Sequence, residues 1–486
     1  MKSLGNFLPF NAEFEIKGSV EKNVNGFSFN SKNVGSEIAF VAKKGTYLDG
    51  HDFIADAINH GCELVFCEKF PLHCPEQVTF VKCDSISRQL GDILNAFYNY
   101  DLTNLILIGV TGTNGKTTIV TLLYQLFGLL GYKCGLISTV ENRIADKVIP
   151  ATHTTPDQIA LYDLLYQMQK NNCSHVFMEV SSHALDQKRI GGLNFTGAIF
   201  TNITHDHLDY HKTFKAYIDA KKYFFDTLDK KAFALVNGDD VNASIMVQNT
   251  KAKVQTYALH NMADFRARIL ENSFSGLHLK FGNTEWFSRL IGSFNAYNLA
   301  AVYGCSILMG YKEDEVLKIM STLLPPKGRF DWIRNEENGK IGIVDFAHTP
   351  DALEKILKNI IEIKSKEQKI ITVIGCGGDR DKTKRPEMGQ IASRLSDRIV
   401  LTSDNPRSED PFQILKDIEK GILESKKIDC IVIEDRAQAI KSACMISGNN
   451  DIILIAGKGH EKYQEIKGQK LPFDDLENLK TYLLNL

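Results

Sequence analysis

The sequence predicts an α/β protein of three domains, and three observations support this prediction. The length, 486 residues, corresponds to about three domains of ordinary size. Short apolar runs alternate with segments of helical spacing, which is typical of parallel sheets with helices on both faces. Between residues 105 and 130, an apolar run, a glycine-containing loop and a helical pattern follow one another as a strand, loop and helix.

Composition excludes several classes of protein. Hydrophobic residues make up 43% and charged residues 24% of the chain, as in ordinary soluble proteins. The net charge of −2 argues against a nucleic-acid surface. No apolar run approaches the ~20 residues of a membrane span, and the N-terminus lacks a signal-like segment. The ten cysteines include no Cys-x-x-Cys pair. We therefore expect a cytoplasmic protein with reduced thiols and with no nucleic-acid or membrane partner.

The first predicted domain, residues 1–98, carries no catalytic motif. Strands are predicted at 38–41 and 64–66, with helical spacing at 52–58 between them. The turn-rich loop at 45–50 is suited to clasping a ligand, although such loops are more often simple connections.

The second predicted domain, residues 99–325, alternates strands with helices and ends in a Pro325-Pro326-Lys327-Gly328 linker. Beside the strand that leads into the glycine loop, strands are predicted at Lys133–Ser138, His175–Val180, Gly197–Thr201 and Ala232–Val236. Helices are predicted at Gln158–Lys170, Phe214–Leu228 and Asn295–Met309.

The third predicted domain, residues 326–486, alternates again, and four of its apolar runs end in polar loops. Ligands of open parallel sheets bind beyond the carboxyl ends of the strands, so four such loops predict a binding face. The apolar runs are Ile341–Val344, Ile370–Ile374, Arg398–Leu401, Asp429–Ile433 and Ile452–Ile455. The loops are Asp345–Asp351, Gly375–Lys382, Thr402–Arg407 and Ala456–Glu461.

The segment Thr111–Thr118 reads Thr-Gly-Thr-Asn-Gly-Lys-Thr-Thr, close to the phosphate-binding P-loop. Glycines let backbone N–H groups approach phosphate oxygens, and Lys116 is placed to reach the outer phosphates. The Thr117 hydroxyl is placed to ligate Mg²⁺. Val110 stands where the first glycine of the motif belongs. The alternative is a chance turn before a buried helix, but the flanking strand and helix favour nucleotide binding.

Two further segments carry candidate metal ligands. Glu179 ends a buried run and can hold Mg²⁺ beside the P-loop, although a helix-capping or solvated glutamate is the alternative. Residues 201–211 contain three histidines and two aspartates in a spacing that fits no standard zinc pattern. Most of these groups are expected to shape the loop, and one imidazole can serve a phosphate-bound Mg²⁺. The residues alone place Lys221 on a solvated helix face.

Together the motifs resemble the Mur ligase family over nearly the whole chain, most weakly in the first hundred residues. The matching segments are Thr111–Thr118, Met178–His183, Asp206–His211, Gly292–Asn298, Gly328–Phe330 and the four C-terminal loops. The resemblance implies a small N-terminal α/β domain for a uridine nucleotide, a central P-loop ATPase domain and a C-terminal Rossmann-like domain for an amino acid. It implies a peptidoglycan ligase that supports cell shape and division, activates a carboxylate as an acyl phosphate and joins it to an amine.

The resemblance also implies roles for individual residues. Catalytic roles fall to Lys116, Lys221, Glu179 and His207, and Mg²⁺ is held by Thr117, Glu179, His207 and a carbamylated Lys221. ATP contacts fall to Gly112, Thr113, Asn114, Gly115, Lys116, Thr117, Thr118, Asn295, Arg329, His348 and Asp351. Contacts to a UDP-MurNAc-L-Ala-D-Glu substrate fall to Ser31, Thr46, Tyr47, Leu48, Thr154, Thr155, Ser181, Gln187 and Arg189. Asn30-Ser31-Lys32 stands where the family often has Asp-Ser-Arg.

The amino-acid substrate is implied by the loop Asp404-Asn405-Pro406-Arg407, which resembles that of members adding meso-diaminopimelate. Lysine-adding members usually lack the arginine, and a guanidinium can bind a second carboxylate bidentately. Arg380, Gly457 and Glu461 match the other contacts, with Glu461 for the distal ammonium. The alternatives are a lysine-adding member, a folylpolyglutamate-type ligase, or a P-loop kinase or nucleotide-binding module that forms no amide. We expect a monomer with small-molecule substrates.

Overall fold

A computed structural model describes residues 1–9, 14–45, 48–99, 105–204, 206 and 208–485, with the backbone alone at 208 and 209. Three large sheets, each packed against helices, follow one another along the chain. This confirms the predicted α/β class. The predicted domain boundaries, after residues 98 and 325, stay a prediction.

The N-terminal sheet is mainly parallel, with strand order β2-β7-β6-β5-β4. The predicted strands at 38–41 and 64–66 are confirmed as β5 and β6, and the predicted helix at 52–58 begins two residues later as α1. The strands of this sheet are β2 (Glu15–Lys17), β4 (Gly26–Ser28), β5 (Ile38–Val41), β6 (Leu64–Cys67) and β7 (Thr79–Lys82). A separate antiparallel pair consists of β1 (Lys2–Ser3) and β3 (Asn23–Val24). The helices are α1 (Ile54–Asn59) and α2 (Ile86–Tyr98), with 3-10 turns at Leu4–Asn6 and Gly50–Phe53.

The central sheet has the order β11-β10-β9-β12-β8-β13-β14-β15-β16-β17-β18. Its middle is parallel as predicted, whereas hairpins extend both ends with antiparallel strands that the sequence reasoning did not predict. The strands are β8 (Ile106–Thr111), β9 (Cys134–Ile137), β10 (Glu141–Ile144), β11 (Lys147–Pro150), β12 (His175–Glu179), β13 (Gly197–Phe200), β14 (Phe233–Asn237), β15 (Lys253–Ala258), β16 (Phe265–Ser273), β17 (Gly276–Phe281) and β18 (Thr284–Ser288).

Helices cover both faces of this sheet. Apolar side chains of α3, α9 and α10 pack on one face, and those of α4 and α7 pack on the other. The helices are α3 (Lys116–Leu129), α4 (Gln158–Lys170), α5 (Ser182–Asp186), α6 (Leu208–His211), α7 (Phe214–Asp226), α8 (Ala243–Met246), α9 (Ser293–Leu308) and α10 (Glu313–Met320).

The C-terminal sheet has the order β19-β20-β24-β21-β22-β23 and is parallel except for β19. Because Asp345 pairs with Ala456 and Ile374 pairs with Leu401, the four predicted loops leave the sheet at one edge. Its strands are β19 (Asp331–Arg334), β20 (Ile341–Asp345), β21 (Ile370–Ile374), β22 (Arg398–Leu401), β23 (Cys430–Val432) and β24 (Ile452–Ala456). A separate antiparallel hairpin consists of β25 (Tyr463–Ile466) and β26 (Gln469–Pro472). The helices are α11 (Pro350–Ile363), α12 (Lys384–Leu395), α13 (Pro411–Glu419), α14 (Arg436–Ile446) and α15 (Asp475–Asn485), with a 3-10 turn at Glu424–Asp429.

Candidate functional site

The glycine loop after β8 forms a tight cradle at the start of α3. Gly112 and Gly115 have φ angles of 147° and 90°, which side-chain-bearing residues rarely adopt. A Cβ on Gly112 would lie 1.8 Å from the Thr201 hydroxyl, so a larger residue would not fit there. Lys116 Nζ donates to the Gly112 and Thr113 carbonyls, both at 2.9 Å. The cradle therefore places an ammonium group and a helix N-terminus together, as phosphate binding requires.

Lys221 lies beneath this cradle and not on a solvated helix face. Its side chain is 1% exposed, because α7 packs Tyr217, Lys221, Phe224 and Phe225 toward the sheet. Lys221 Nζ donates at 2.9 Å to the Gly112 carbonyl that also accepts from Lys116. The pKa of Lys221 is lowered well below its ordinary value, first by burial and then by Lys116, with partial opposition from Asp206.

Glu179 stands where the sequence predicted it, at the end of the strand next to the P-loop strand. It pairs with Val110 in the parallel register of β12 and β8, and it is 1% exposed. Its carboxylate accepts from Thr139 N at 2.8 Å and from Thr139 Oγ1 at 3.1 Å. Within the described residues, no group of three His, Cys, Asp or Glu side chains is arranged for metal binding. Any Mg²⁺ here would therefore share its ligands with hydroxyl or phosphate oxygens.

Residues of the third predicted domain reach the P-loop directly. Asp351 Oδ2 accepts from Asn114 Nδ2 at 2.8 Å and from Thr204 Oγ1 at 3.1 Å. Arg329 Nη2 lies 3.4 Å from Thr117 Oγ1, and the Arg329 Nε donor is buried without a partner among the described residues. The linker and the C-terminal sheet thus bring charged groups onto the cradle.

His348, also predicted at the nucleotide site, lies in the same loop cluster. Its Nδ1 is 2.9 Å from the Phe346 carbonyl, and its own carbonyl accepts from Lys384 Nζ at 3.0 Å. Burial, followed by Lys384, lowers the pKa of His348. The ring is therefore held by its own loop.

A cavity of about 400 Å³ opens between the linker and the hairpin of β16 and β17. Its walls include Phe274, Ile291, Phe330 and Trp332, and Asn295 supplies a polar group. Asn295 is 3% exposed, and its Nδ2 donates to the Ile291 carbonyl at 2.8 Å. Apolar walls with few polar groups are typical of small-molecule sites.

A second hydrogen-bond network includes the backbone of Glu179. Thr155 Oγ1 donates to the Glu179 carbonyl at 2.7 Å and accepts from Ser181 N at 3.1 Å. Arg189 Nη1 donates to the Thr155 carbonyl at 2.6 Å, and Arg189 Nη2 to Gln187 Oε1 at 2.7 Å. These four predicted residues therefore form one hydrogen-bonded unit next to Glu179.

Thr154 and the N-terminal domain extend this network. Thr154 Oγ1 accepts from Thr139 Oγ1 at 3.0 Å. Lys43, which follows β5 of the N-terminal sheet, donates from Nζ to the Gln187 carbonyl at 3.1 Å and so contacts the same unit. Ser31 is 6% exposed and Leu48 is 67% exposed, and neither is brought into the network by a described contact.

At the C-terminal loops, Arg407 has a left-handed backbone with φ 52°. Two backbone hydrogen bonds to the β25–β26 hairpin hold it, from Arg407 N to the Glu465 carbonyl at 3.0 Å and from Lys467 N to the Arg407 carbonyl at 2.7 Å. Its Nη1 donates to the Gly378 carbonyl at 2.7 Å, and its Nε lies 3.4 Å from Glu465 Oε2. The guanidinium is thus fixed between two loops.

The remaining predicted loop residues lie around Arg407. Asn405 Nδ2 donates to Glu461 Oε2 at 2.8 Å, which joins the two loops that carry them. A Cβ on Gly457, whose φ is 122°, would lie 2.6 Å from Asp404 Oδ2. Arg380 is exposed, and its Nη1 donates to the Asp379 carbonyl at 3.0 Å. Pro406 is buried between the loops.

Sequence profiles of known families match three stretches of the chain. They are the Mur ligase family catalytic domain at residues 23–98, the Mur ligase middle domain at 110–306 and the Mur ligase glutamate ligase domain at 328–459. The chain belongs to the Mur ligase family. Two relatives named UDP-N-acetylmuramoyl-L-alanyl-D-glutamate--2,6-diaminopimelate ligase are each 50% identical to this Mur ligase. The one from Phocaeicola vulgatus matches over 97% of both chains, and the one from Cytophaga hutchinsonii over 96% of both.

A solved structure with the same name is 32% identical to this Mur ligase. It superimposes with a TM-score of 0.69 over 99% of this chain and 98% of that one. The family assignment and the full-length likeness both agree with the resemblance that the motifs carry.

Three of the predicted site residues of this Mur ligase, Thr46, Tyr47 and His207, lie outside the described residues. The interpretation of Lys221 as a solvated residue, drawn from the residues alone, is wrong. The spacing of Tyr217, Lys221, Phe224 and Phe225 on one helical face is the signal that identifies Lys221 as buried.

The sequence reasoning also missed several charged residues that contact predicted site residues. Lys43 and Lys458 each hydrogen-bond a predicted site residue. Asp345 accepts from Phe330 N at 2.7 Å next to Arg329. Arg436 donates to the Ser403 and Ala456 carbonyls, at the start of two of the C-terminal loops. Lys458 and Asp345 lie in loops that the sequence predicted to form a binding face. No sequence pattern identifies Lys43 or Arg436 as a residue of the site.

Proposed function

We propose that this Mur ligase uses ATP to join meso-2,6-diaminopimelate to UDP-MurNAc-L-Ala-D-Glu, with release of ADP and phosphate. The observation that carries the proposal is the contact between three loop systems. Glu179 lies beside the P-loop, and Asp351 contacts the P-loop from a C-terminal loop that leaves its sheet at the same edge as the Arg407 loop. The names of the relatives at 50% identity support the same reaction. The domain ranges 1–98, 99–325 and 326–486 would then bind the uridine nucleotide, ATP and the amino acid, respectively.

ATP would place its phosphates on the P-loop amides and its base in the cavity beside Asn295. Lys116 and the unpartnered Nε of Arg329 would offset the charge of the outer phosphates. Aromatic walls such as Trp332 suit a purine ring, because offset stacking of flat rings is favourable. Asp351 would hold the P-loop against the C-terminal domain during turnover.

Mg²⁺ fits the oxygen-rich donor set on the P-loop side. Thr117 supplies a hydroxyl and Glu179 a carboxylate, which are hard ligands of the kind Mg²⁺ prefers. When bound, Mg²⁺ would neutralise charge on the phosphoryl group. Glu179 is already oriented by Thr139, so its carboxylate would not need to reorganise on binding. His207 would be a further ligand, as the family resemblance implies.

Lys221 is proposed to carry a carbamate. Its neutral amine would attack CO2, form an N–C bond and release one proton, which leaves a carboxylate on the lysine. The local structure favours this change, because two lysine amines within at most 5.8 Å of each other share one carbonyl, each 2.9 Å from it. Carbamylation would replace that repulsion with an ion pair to Lys116 and provide an anionic ligand for a second Mg²⁺.

The muramoyl dipeptide would bind along Thr154, Thr155, Ser181, Gln187 and Arg189. This unit adjoins Glu179, so the terminal carboxylate of the substrate would face the outer phosphate of ATP. Transfer of that phosphoryl group would give an acyl phosphate, which the incoming amine attacks to form the amide. Correct orientation of the two reactants can supply about 7–11 kcal/mol of the barrier.

The incoming amino acid would be recognised by its distal end. Arg407 would bind the second carboxylate of diaminopimelate, and Glu461 would bind the distal ammonium. A charged hydrogen bond of this kind contributes roughly 1.5–3 kcal/mol, enough for about 10- to 150-fold discrimination. Arg380, Asp404, Asn405, Pro406 and Gly457 would form the rest of the subsite.

All ten cysteines lie in the described residues and none forms a disulfide. None of the described helices combines the length and apolar character needed to cross a membrane. We infer a cytoplasmic enzyme because its proposed substrates, ATP and a nucleotide-linked precursor, are cytoplasmic. We also infer a monomer, because the three loop systems come from one chain. Size-exclusion chromatography with light scattering tests the monomer.

The test of the function is phosphate release from Mg-ATP and UDP-MurNAc-L-Ala-D-Glu, with meso-diaminopimelate and L-lysine supplied in parallel. Turnover with diaminopimelate and little with lysine is expected. Turnover with lysine instead would identify a lysine-adding member. Turnover that needs no amino acid would indicate a nucleotide-binding module or kinase, and turnover with a folate and glutamate would indicate the folylpolyglutamate alternative.

A further inference from the structure

Lys458 lies beneath the amino-acid loops with its side chain 0% exposed. Its Nζ donates to Asn405 Oδ1 at 2.8 Å, lies 3.4 Å from Glu461 Oε2 and lies 3.7 Å from Asp404 Oδ1. Asn405 in turn donates to Glu461 at 2.8 Å and accepts from Glu465 N at 2.9 Å. One buried ammonium therefore contacts three residues of the proposed diaminopimelate subsite. Through Asn405 it is also connected to Glu465, whose carboxylate lies 3.4 Å from Arg407 Nε.

The charges of this subsite balance when Lys458 is included. Asp404, Glu461 and Glu465 contribute three negative charges. Lys458, Arg407 and Arg380 contribute three positive charges. Arg436 also faces Asp404, but it is paired with Asp475 and the pair adds no net charge. The free subsite is therefore neutral overall, as is meso-diaminopimelate, which carries two carboxylates and two ammonium groups near pH 7. L-lysine carries one carboxylate and two ammonium groups, so it is a net cation.

We propose that Lys458 is a positioning residue that sets the charge of the amino-acid subsite and thereby favours diaminopimelate over lysine. The proposal rests on the function proposed above and extends it to a residue that never touches the substrate. Without Lys458, the subsite would carry one extra negative charge, which repels the distal carboxylate of diaminopimelate and attracts the cationic lysine. Glu461 would also lose the ammonium that holds it beside Asn405.

The decisive variant is Lys458→Gln, which keeps a donor for Asn405 but removes the charge. We expect the KM for diaminopimelate to rise about tenfold, the value of one lost charged contact. We expect kcat/KM for diaminopimelate relative to lysine to fall by at least the same factor, while the KM for ATP stays within twofold. Lys458→Arg, which keeps the charge, should restore most of the ratio. Lys462→Gln is the matched control, because Lys462 is in the same loop but 72% exposed.

A pH profile separates the charge effect from a packing effect. Burial raises the pKa of Asp404, but Lys458, Arg436, His348 and Arg407 outweigh burial, so the pKa is lowered overall. In Lys458→Gln the largest of these opposing groups is gone. Asp404 is then protonated more readily as the pH falls, and its protonation cancels the extra negative charge. The rise in KM for diaminopimelate caused by Lys458→Gln should therefore shrink as the pH is lowered, whereas Lys462→Gln should follow the wild type.

The outcomes are distinct. An unchanged preference in Lys458→Gln, or equal losses for diaminopimelate, lysine and ATP, would refute the role of Lys458 while leaving the ligase function intact. Wild-type enzyme that does not use diaminopimelate would refute the proposed function, and the inference with it. Thermal unfolding checks that each variant is folded. If Lys458→Gln is unstable, Lys458→Met removes the same charge with an unbranched apolar side chain, and a wild-type preference in this folded variant would equally refute the proposal.

Discussion

Replacing Arg436 with methionine is expected to lower the free energy of unfolding of the C-terminal sheet by about 3–5 kcal/mol. Arg436 and Asp475 are both 0% exposed at their side chains, and two hydrogen bonds of 2.7 Å join them. Methionine has similar volume but no charge, so the Asp475 carboxylate would stay buried without its partner. The carbonyls of Ser403 and Ala456, which accept from Arg436 at 3.4 and 3.2 Å, would lose a donor as well.

The loss of unfolding free energy in Arg436→Met comes more from the unpaired Asp475 carboxylate than from the lost hydrogen bonds. Removing both partners at once, with Arg436→Met and Asp475→Leu together, leaves no buried charge. Replacement of a buried ion pair by apolar groups is often close to neutral. The double variant should therefore be more stable than Arg436→Met alone, with a coupling of about 2 kcal/mol between the two sites.

Urea unfolding measures this effect through the fluorescence of Trp332 in β19 of the same sheet. The chain has two tryptophans, so Trp286→Phe makes Trp332 the sole reporter. The free-energy change follows from the shift in midpoint at constant m-value. A loss below about 1 kcal/mol in Arg436→Met, or a double variant that loses the sum of the two single changes, would refute the reasoning.

The remaining predictions concern the active site. Lys221→Ala should abolish activity without rescue by excess bicarbonate, and wild-type enzyme given ¹³C-bicarbonate should show a carbamate NMR signal that the variant lacks; an active variant would contradict the second-metal role. Arg407→Ala should raise the KM for diaminopimelate about tenfold or more and leave the KM for ATP nearly unchanged; equal losses would indicate a structural loop. Nucleotide should quench Trp332 fluorescence in the Trp286→Phe background, whereas no change on saturation would place the base elsewhere. Burial raises the pKa of Asp345 to about 6. The folded state therefore holds a proton that the unfolded state releases, and this stabilisation is lost as the pH rises from about 4 through about 6. Across that range the fall in Tm should be smaller in Asp345→Asn than in the wild type, and an equal fall in both would contradict this role of Asp345.

The parallel strands could be predicted from the sequence because they are buried on both faces and therefore read as continuous apolar runs. The strand at 370–374 and the helix at 158–170 agree with the structure to the residue. The strands at 265–288 were missed because one side of this antiparallel extension faces water. In β16, most residues between 265 and 273 are partly or fully exposed, so no apolar run marks it.

In the candidate site too, some residues could be placed from the sequence and others could not. Motif residues such as Glu179 could be placed at the correct strand end because parallel strands share one edge. Lys221 and Lys222 are neighbours with identical chemistry, yet one is buried and the other pairs with Asp226 at 2.6 Å. They differ because only Lys221 lies on the face of α7 that packs against the sheet. The composition of the helix does not show which face that is. Arg436 was missed because its partner is 39 residues away in sequence.

Lys116 and Lys221 both donate to the Gly112 carbonyl, and the closeness of these two amines couples ligand binding to proton uptake. Where Lys221 is unmodified, burial and then Lys116 lower the pKa of its amine. An incoming polyphosphate stabilises the charged amine and raises that pKa, so binding at a pH between the two values draws a proton from solution. The heat of binding measured by calorimetry should then change with the ionisation enthalpy of the buffer. Full carbamylation would suppress the exchange, so buffer-dependent heat reports how much of the lysine is modified.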